Sequence, residues 1–517
     1  MNLYSLPKYL SEIKKFLIKI ADKRIYYIPL PFILCLIFSL IVLGGHVYHP
    51  EAEYSMLNYF QHKPFLYKIF DAEGPFGYNF LAYQAREFSY LTNYLDAYFI
   101  LLTSALGVAQ FYSLTHYISI LIIAFIAFVI SRRFFGQPFY YIALLISLLY
   151  LTSPGPFLSG YNYRTSKILV ALFITLINYL VLRYAEQKNR NIKIPFIIIV
   201  STILMATSDK EGFYFAGIFT ALSFAILILD RGIKTLNIFF AFVIATFLAS
   251  YYSHTLGPLI IEHYIGYYPV FTPDASYFSY IGAIGYHFKN ALLYLAYEVS
   301  YFYGNLGTLA GYFIIFLFGV FYLVIFFLSP RDDDSPYHLP NIKKLTLFIP
   351  LLLLAVIPFL TFMFSYSLFF LTMPDLRLIY YNLPLTTLIL LFSQLLFSRL
   401  LRIMPYLYKL TLIIILIIFI LNLFALIPHY KVLLDGHLKV QFASSKYLKK
   451  CIIDRNVLEK NFTGLMTQSH DEACVLFRKI LGEHVPPAQK DNLGLTACKN
   501  EWLVPILMKL QLPAWLH

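Results

Sequence analysis

Four short clusters in this sequence combine residue types that can do chemistry. The first is Asp71-Ala-Glu73-Gly74-Pro75, followed by Tyr83, Arg86, Glu87 and Asp96. Gly74, Pro75 and Gly77 bend the backbone, so two carboxylates two residues apart can face one cavity. One can then act as general base while the other holds a hydroxyl or a metal ion. A solvated polar loop has the same spacing. The second cluster, Ser208-Asp209-Lys210-Glu211-Gly212, is squeezed between two apolar runs. A turn so short cannot solvate three charges at leisure, which suits an acid and a base facing a water-filled cavity; an ordinary polar turn is the simpler alternative. The third is Tyr161-Asn-Tyr163-Arg164 with Lys167. Two cations at a helix end suit a phosphate, or Lys167 snorkels to the interface. The fourth is Pro374-Asp375-Leu-Arg377 with Tyr380 and Tyr381, where the tyrosines also fit an aromatic belt.

The elements that must position these residues follow from composition. Of 517 residues, 59% are apolar and 13% charged, against roughly a quarter charged in a soluble chain. A long soluble enzyme, a disordered chain and a coiled coil are excluded. Runs of about 20 apolar residues, enough to cross a bilayer as helices, occur about eleven times. They lie near 26–45, 111–131, 138–154, 165–184, 194–208, 212–230, 235–254, 308–329, 345–368, 378–398 and 410–428. Every second connection is short and basic: the first 25 residues, Arg132-Arg133, Arg183 to Lys193, Arg231 and Lys234, Arg331 to Lys344, and Arg399 to Lys409. The positive-inside rule puts those connections in the cytoplasm. An inside N-terminus and an outside C-terminus follow.

The expected organisation is a basic amphipathic segment over 1–25, a transmembrane domain over 26–428, and an extracytoplasmic C-terminal domain over 429–517. Two long, aromatic-rich outer loops span about 46–110 and 255–307, and 86–110 reads as an amphipathic segment along the outer membrane surface. Cys451, Cys474 and Cys498 allow one disulfide with one thiol left over, and their spacing names no pair. Of the 40 Lys and Arg, 20 fall on the cytoplasmic side and 12 in the tail. The others are Lys63, Lys68, Arg86, Arg164, Lys167, Lys210, Lys289 and Arg377, all on the outer side where cations are scarce. The sequence has no phosphate-binding loop, dinucleotide fingerprint, serine-hydrolase elbow or zinc-protease motif. The missing motifs argue against an ATP-driven pump, the short cytoplasmic loops argue against a cytosolic nucleotide-sugar enzyme, and the basic excess reads as topology rather than nucleic-acid binding.

This arrangement resembles the GT-C glycosyltransferases, integral membrane enzymes that use polyprenyl-phosphate sugars. The likeness is closest to the protein O-mannosyltransferase and aminoarabinose-transferase branch and its bacterial relatives. Asp71-Ala-Glu73-Gly74 stands where that family has its acidic motif. Arg86 to Asp96 resembles the R-P-L-x-x-L stretch after it, with Glu87 in place of the proline. Lys210-Glu211-Gly212 resembles the K-E element, and Arg377 to Pro384 the R-Y-x-Y-L-P-like element. The resemblance covers roughly 26–400 and not the tail.

It implies an all-α polytopic membrane protein, a GT-C-like bundle with outer-surface amphipathic helices, in a bacterial inner membrane. It also implies inverting transfer of a sugar from a polyprenyl-phosphate donor to a hydroxyl of a glycolipid, polysaccharide or protein. Asp71 by preference, or Glu73, is the base. Arg164, Lys167, Lys210 and Arg377 are placed at the donor phosphate, and Arg86, Glu211, Tyr380 and Tyr381 orient substrate, with Glu211 also able to orient Lys210. The resemblance fixes no cofactor, since related enzymes vary in needing a metal. A divalent metal is the one the chemistry admits, with Asp71 and Glu73 as its ligands. The rival readings are a transporter or flippase for lipid-linked sugars, an outer-face ligase or polymerase of another fold, and a non-catalytic scaffold. Against the first, the notable charges sit at helix ends, and no pseudo-repeat is visible.

Overall fold

An apolar run in lipid satisfies its backbone polar groups by coiling into a helix, and the described residues of this chain lie almost wholly in such helices. The computed structural model describes residues 30–42, 69–70, 82–83, 85–93, 95–96, 114–134, 140–153, 156, 165–187, 192–229, 232–265, 270–271, 293, 295–296, 298–300, 302–303, 307–328 and 383–425. The segment 1–25, the apolar run 345–368 and the tail 429–517 lie outside the described residues.

In chain order the helices are α1 (Leu30–Val42), α2 (Leu114–Arg133), α3 (Tyr140–Thr152), α4 (Ser166–Glu186), α5 (Lys193–Ala206) and α6 (Lys210–Leu229). They continue with α7 (Ile233–Tyr251), α8 (Gly257–Ile265), α9 (Thr308–Leu328), α10 (Leu383–Ile403) and α11 (Tyr408–Ala425). A π turn over Tyr252–Leu256 joins α7 to α8. The helix therefore runs on well past residue 254, where the second outer loop was expected to begin. Among the described residues, seven helical segments are long and apolar enough to cross a membrane, by length and composition. They centre on α2, α4, α6, α7–α8, α9, α10 and α11, and they fit a multi-pass membrane protein. The expected count was about eleven; α3 and α5, at 13 and 14 residues, are shorter apolar helices.

Burial sorts the helices. α10 is the central one, with 94% of its spanning window inside the protein. It packs against α2, α3, α4 and α9. A helix surrounded by others has no lipid to face, so it can carry polar side chains that bind across to neighbours. Tyr150 and Thr387 share a hydrogen bond of 3.0 Å, and Tyr303 and Ser393 one of 2.6 Å. Gln394 donates to the Ala143 carbonyl at 2.8 Å and to Ser147 at 2.7 Å. The peripheral helices do the reverse. α9 and α11 bury 11% of their windows and turn residues such as Phe313, Phe316, Ile417 and Phe424 outward.

Helix direction alternates along α4–α5–α6–α7, so the two ends of the bundle are chemically distinct. At one end Arg133 pairs with Glu186 at 2.8 Å. There Lys234 also donates to the backbone carbonyls of Ala185, at 2.9 Å, and Gln187. A cation on the last carbonyls of α4 meets the negative end of its dipole. The other end is built differently.

Candidate functional site

The opposite end gathers charges from three distant parts of the sequence. After Ala206, the last carbonyls of α5 also accept from the hydroxyls of the next two residues. Thr207 donates to Ile203 O at 3.0 Å and Ser208 to Leu204 O at 2.7 Å. Asp209 then caps α6. Its Oδ1 accepts the Glu211 N–H at 3.1 Å, and its carbonyl accepts the Gly212 N–H at 2.8 Å. An aspartate before a helix satisfies first-turn donors and favours the positive end of the dipole.

The same Asp209 holds two cations. Lys167 Nζ, from the first turn of α4, lies 2.8 Å from Asp209 Oδ1 and 2.8 Å from Glu211 Oε1. Arg86 Nε lies 3.0 Å from Asp209 Oδ2. Asp209 and Glu211 are 0% exposed, Lys167 is 1% and Arg86 8%. Two cations thus balance two carboxylates out of water. Removing either sign alone leaves a buried net charge, the costly case. Burial by itself would push the Asp209 carboxyl up. Arg86 and Lys167 beside it, with the donated hydrogen bonds, outweigh that and hold it well below the usual carboxylate range.

A depressed carboxylate stabilises the fold above its unfolded pKa of about 4, and that contribution is lost as pH falls below it. Thermal unfolding of the wild-type chain should therefore drop more steeply below about pH 4 than that of an Asp209→Asn variant. Parallel pH profiles of the two proteins would contradict the ion pairing.

Arg86 opens a short helical stretch over 87–93 and 95–96. Its polar residues Ser89, Thr92, Asn93 and Asp96 fall at i, i+3, i+4 and i+7, on one face. That face is buried, while Leu95 is 58% exposed. The polarity is the reverse of a soluble amphipathic helix. The polar face tends the starts of two bundle helices. Asn93 Oδ1 accepts from the N–H and hydroxyl of Thr165, just before α4, at 3.1 and 3.0 Å. Thr92 and Thr165 hydroxyls meet at 2.6 Å. Asp96 Oδ1 accepts from the N–H and hydroxyl of Thr115, in the first turn of α2, at 3.0 and 2.9 Å. Phe88 N–H reaches Thr207 O at 3.0 Å.

Two segments far apart in the sequence also meet. β1 (Ala82–Tyr83) and β2 (Val270–Phe271) pair in parallel, Ala82 with Val270 and Tyr83 with Phe271. Further on, buried Glu298 accepts the Thr386 hydroxyl at 2.8 Å in the first turn of α10.

Of the expected site residues, Arg86, Lys167 and Glu211 therefore come together. Lys210 is the first residue of α6, and only its backbone is described. Asp71, Glu73, Arg164, Arg377, Tyr380 and Tyr381 lie outside the described residues. Lys167 is buried, with its Nζ held between Asp209 and Glu211. The residue missing from the expected set is Asp209, the hub of the cluster. It was visible in the Asp209-Lys210-Glu211 turn, and its position before an apolar run marks an N-cap. Among the described residues, no group of three or more His, Cys, Asp or Glu side chains is placed to hold a metal ion. No protein-family model matches the chain, and no curated protein matches it.

Proposed function

We propose that this chain is a GT-C-like membrane glycosyltransferase, moving a sugar from a polyprenyl-phosphate donor to an acceptor hydroxyl on the extracytoplasmic side. The observation that supports the reading is the buried quartet of Arg86, Lys167, Asp209 and Glu211. Ionisable groups buried in so apolar a chain mark a working site by default. Here they join the stretch resembling R-P-L-x-x-L to the turn resembling the K-E element.

In the proposed reaction Asp71, or Glu73, takes the proton of the acceptor hydroxyl. The hydroxyl oxygen forms a bond to the anomeric carbon as the bond from that carbon to the donor phosphate oxygen breaks. The configuration inverts, and polyprenyl phosphate leaves carrying the negative charge. Preplaced cations stabilise that growing charge. Lys167 is already balanced by two carboxylates, so the phosphate falls to Arg164, Lys210 and Arg377. A divalent metal, where used, would sit on Asp71 and Glu73.

Asp71→Asn should slow transfer by about 10²–10⁴-fold in membranes supplied with lipid-linked sugars, at unchanged membrane abundance. In the same preparation Lys210→Ala should weaken polyprenyl-phosphate binding about tenfold. Wild-type transfer by Asp71→Asn would remove Asp71 as the base. Wild-type transfer by an Asp71→Asn, Glu73→Gln double variant would remove the carboxylate mechanism.

A further inference from the structure

Three observations converge on the segment 85–96. It enters through Ala85, whose φ of 51° lies in the left-handed region, an unfavourable conformation for a residue with a Cβ. Such strain persists where the surroundings over-determine the backbone, and it clusters at functional sites. The segment then buries a polar face against the starts of α2 and α4 through Asp96 and Asn93. Finally, its first cation reaches across to the α5–α6 turn, where Asp209 holds Arg86 and Lys167 together.

We infer that Arg86 and Asp209 form the hub of a clasp, and that Asp209 is a positioning residue which docks segment 85–96 on the starts of α2, α4 and α6. Asp209 touches no substrate in this scheme. It acts through Arg86, fixing where the guanidinium sits. It acts through Lys167 as well, tying α4 to the turn that begins α6. The hydrogen bonds of Asn93 and Asp96 hold the far part of the segment, and the Arg86 pair closes the near part. The clasp is a claim about the chain alone; its consequence for catalysis rests on the transferase reading.

The test is hydrogen–deuterium exchange on the full-length protein in lipid nanodiscs, without ligand. Arg86→Gln removes the less buried of the two cations and leaves Lys167 on both carboxylates, so it costs less stability than loss of Lys167. Exchange over 85–96 should rise about tenfold or more, while exchange over Leu383–Ile403 stays at the wild-type rate. Arg86→Lys should restore part of the protection, and Asp209→Asn should repeat the effect of Arg86→Gln. In sugar transfer, Arg86→Gln and Asp209→Asn should lower kcat with KM for the lipid-linked donor unchanged. Exchange over 85–96 at the wild-type rate in Arg86→Gln would overturn the clasp. So would an equal rise throughout the protein. A wild-type chain that transfers no sugar would sink the transferase reading and leave the exchange result standing.

Discussion

A Lys167→Met chain is expected to lose about 3–5 kcal/mol of stability, the usual cost of removing one partner from a buried ion pair. Lys167 supplies one of the two positive charges in a cluster whose carboxylates are fully buried. Methionine keeps the volume and removes the charge. Asp209 then keeps its Arg86 ion pair, while Asp209 and Glu211 both lose Lys167. The expected pH dependence identifies the cause. In the variant at least one carboxylate is pushed up, because burial now acts with less opposing charge. Protonation relieves that penalty, so the deficit relative to wild type should shrink as the pH falls from 7 towards 4. Lys167→Arg, which keeps the charge, should retain most of the stability. Thermal unfolding in detergent at pH 7, 5.5 and 4 checks this. A deficit that is constant with pH would point to lost packing rather than lost charge.

The second large effect is expected at Gly212. A Cβ there would sit 1.8 Å from the Met205 carbonyl oxygen and 2.5 Å from its carbon. Both are backbone atoms of α5, so no side-chain rotation relieves the clash. α5 and α6 must separate, and the Asp209 turn between them must open. Small residues permit this kind of close approach in membrane bundles. Gly212→Ala should cost about 3 kcal/mol or more, beyond the common range for overpacking. Gly217, on the same helix, has nothing within 4 Å of its virtual Cβ. Gly217→Ala should therefore be neutral or stabilising by up to about 1 kcal/mol through helix propensity. Comparing the two unfolding temperatures separates close packing from propensity. Equal shifts would remove the close-approach argument.

These residues show how far the sequence could be read. The apolar runs and the helices they form were legible because the requirement is local: a stretch of side chains either suits lipid or does not. The turn at 208–212 stood out because three charges interrupt two apolar runs. The identity of each charge's partner was not legible. Lys167 read equally well as a phosphate ligand or as a snorkelling side chain, since nothing near it in sequence names Asp209 and Glu211.

The segment 86–96 is the sharper case. Its amphipathic period was readable, but period defines two faces without saying which one faces protein. In water the apolar face turns inward. Here the polar face turns inward to the unsatisfied first-turn donors of α2 and to Thr165 ahead of α4.

The sequence by itself determined the class of molecule, the apolar stretches of the described spanning helices and the places where charge interrupts them, because hydropathy is a property of short stretches. Only the tertiary structure decided that α10 is the helix surrounded by others. Only it decided that Arg86, Lys167, Asp209 and Glu211 form one buried, ion-paired cluster. Burial and charge balance are sums over neighbours, and those neighbours are brought close by packing between helices far apart along the chain.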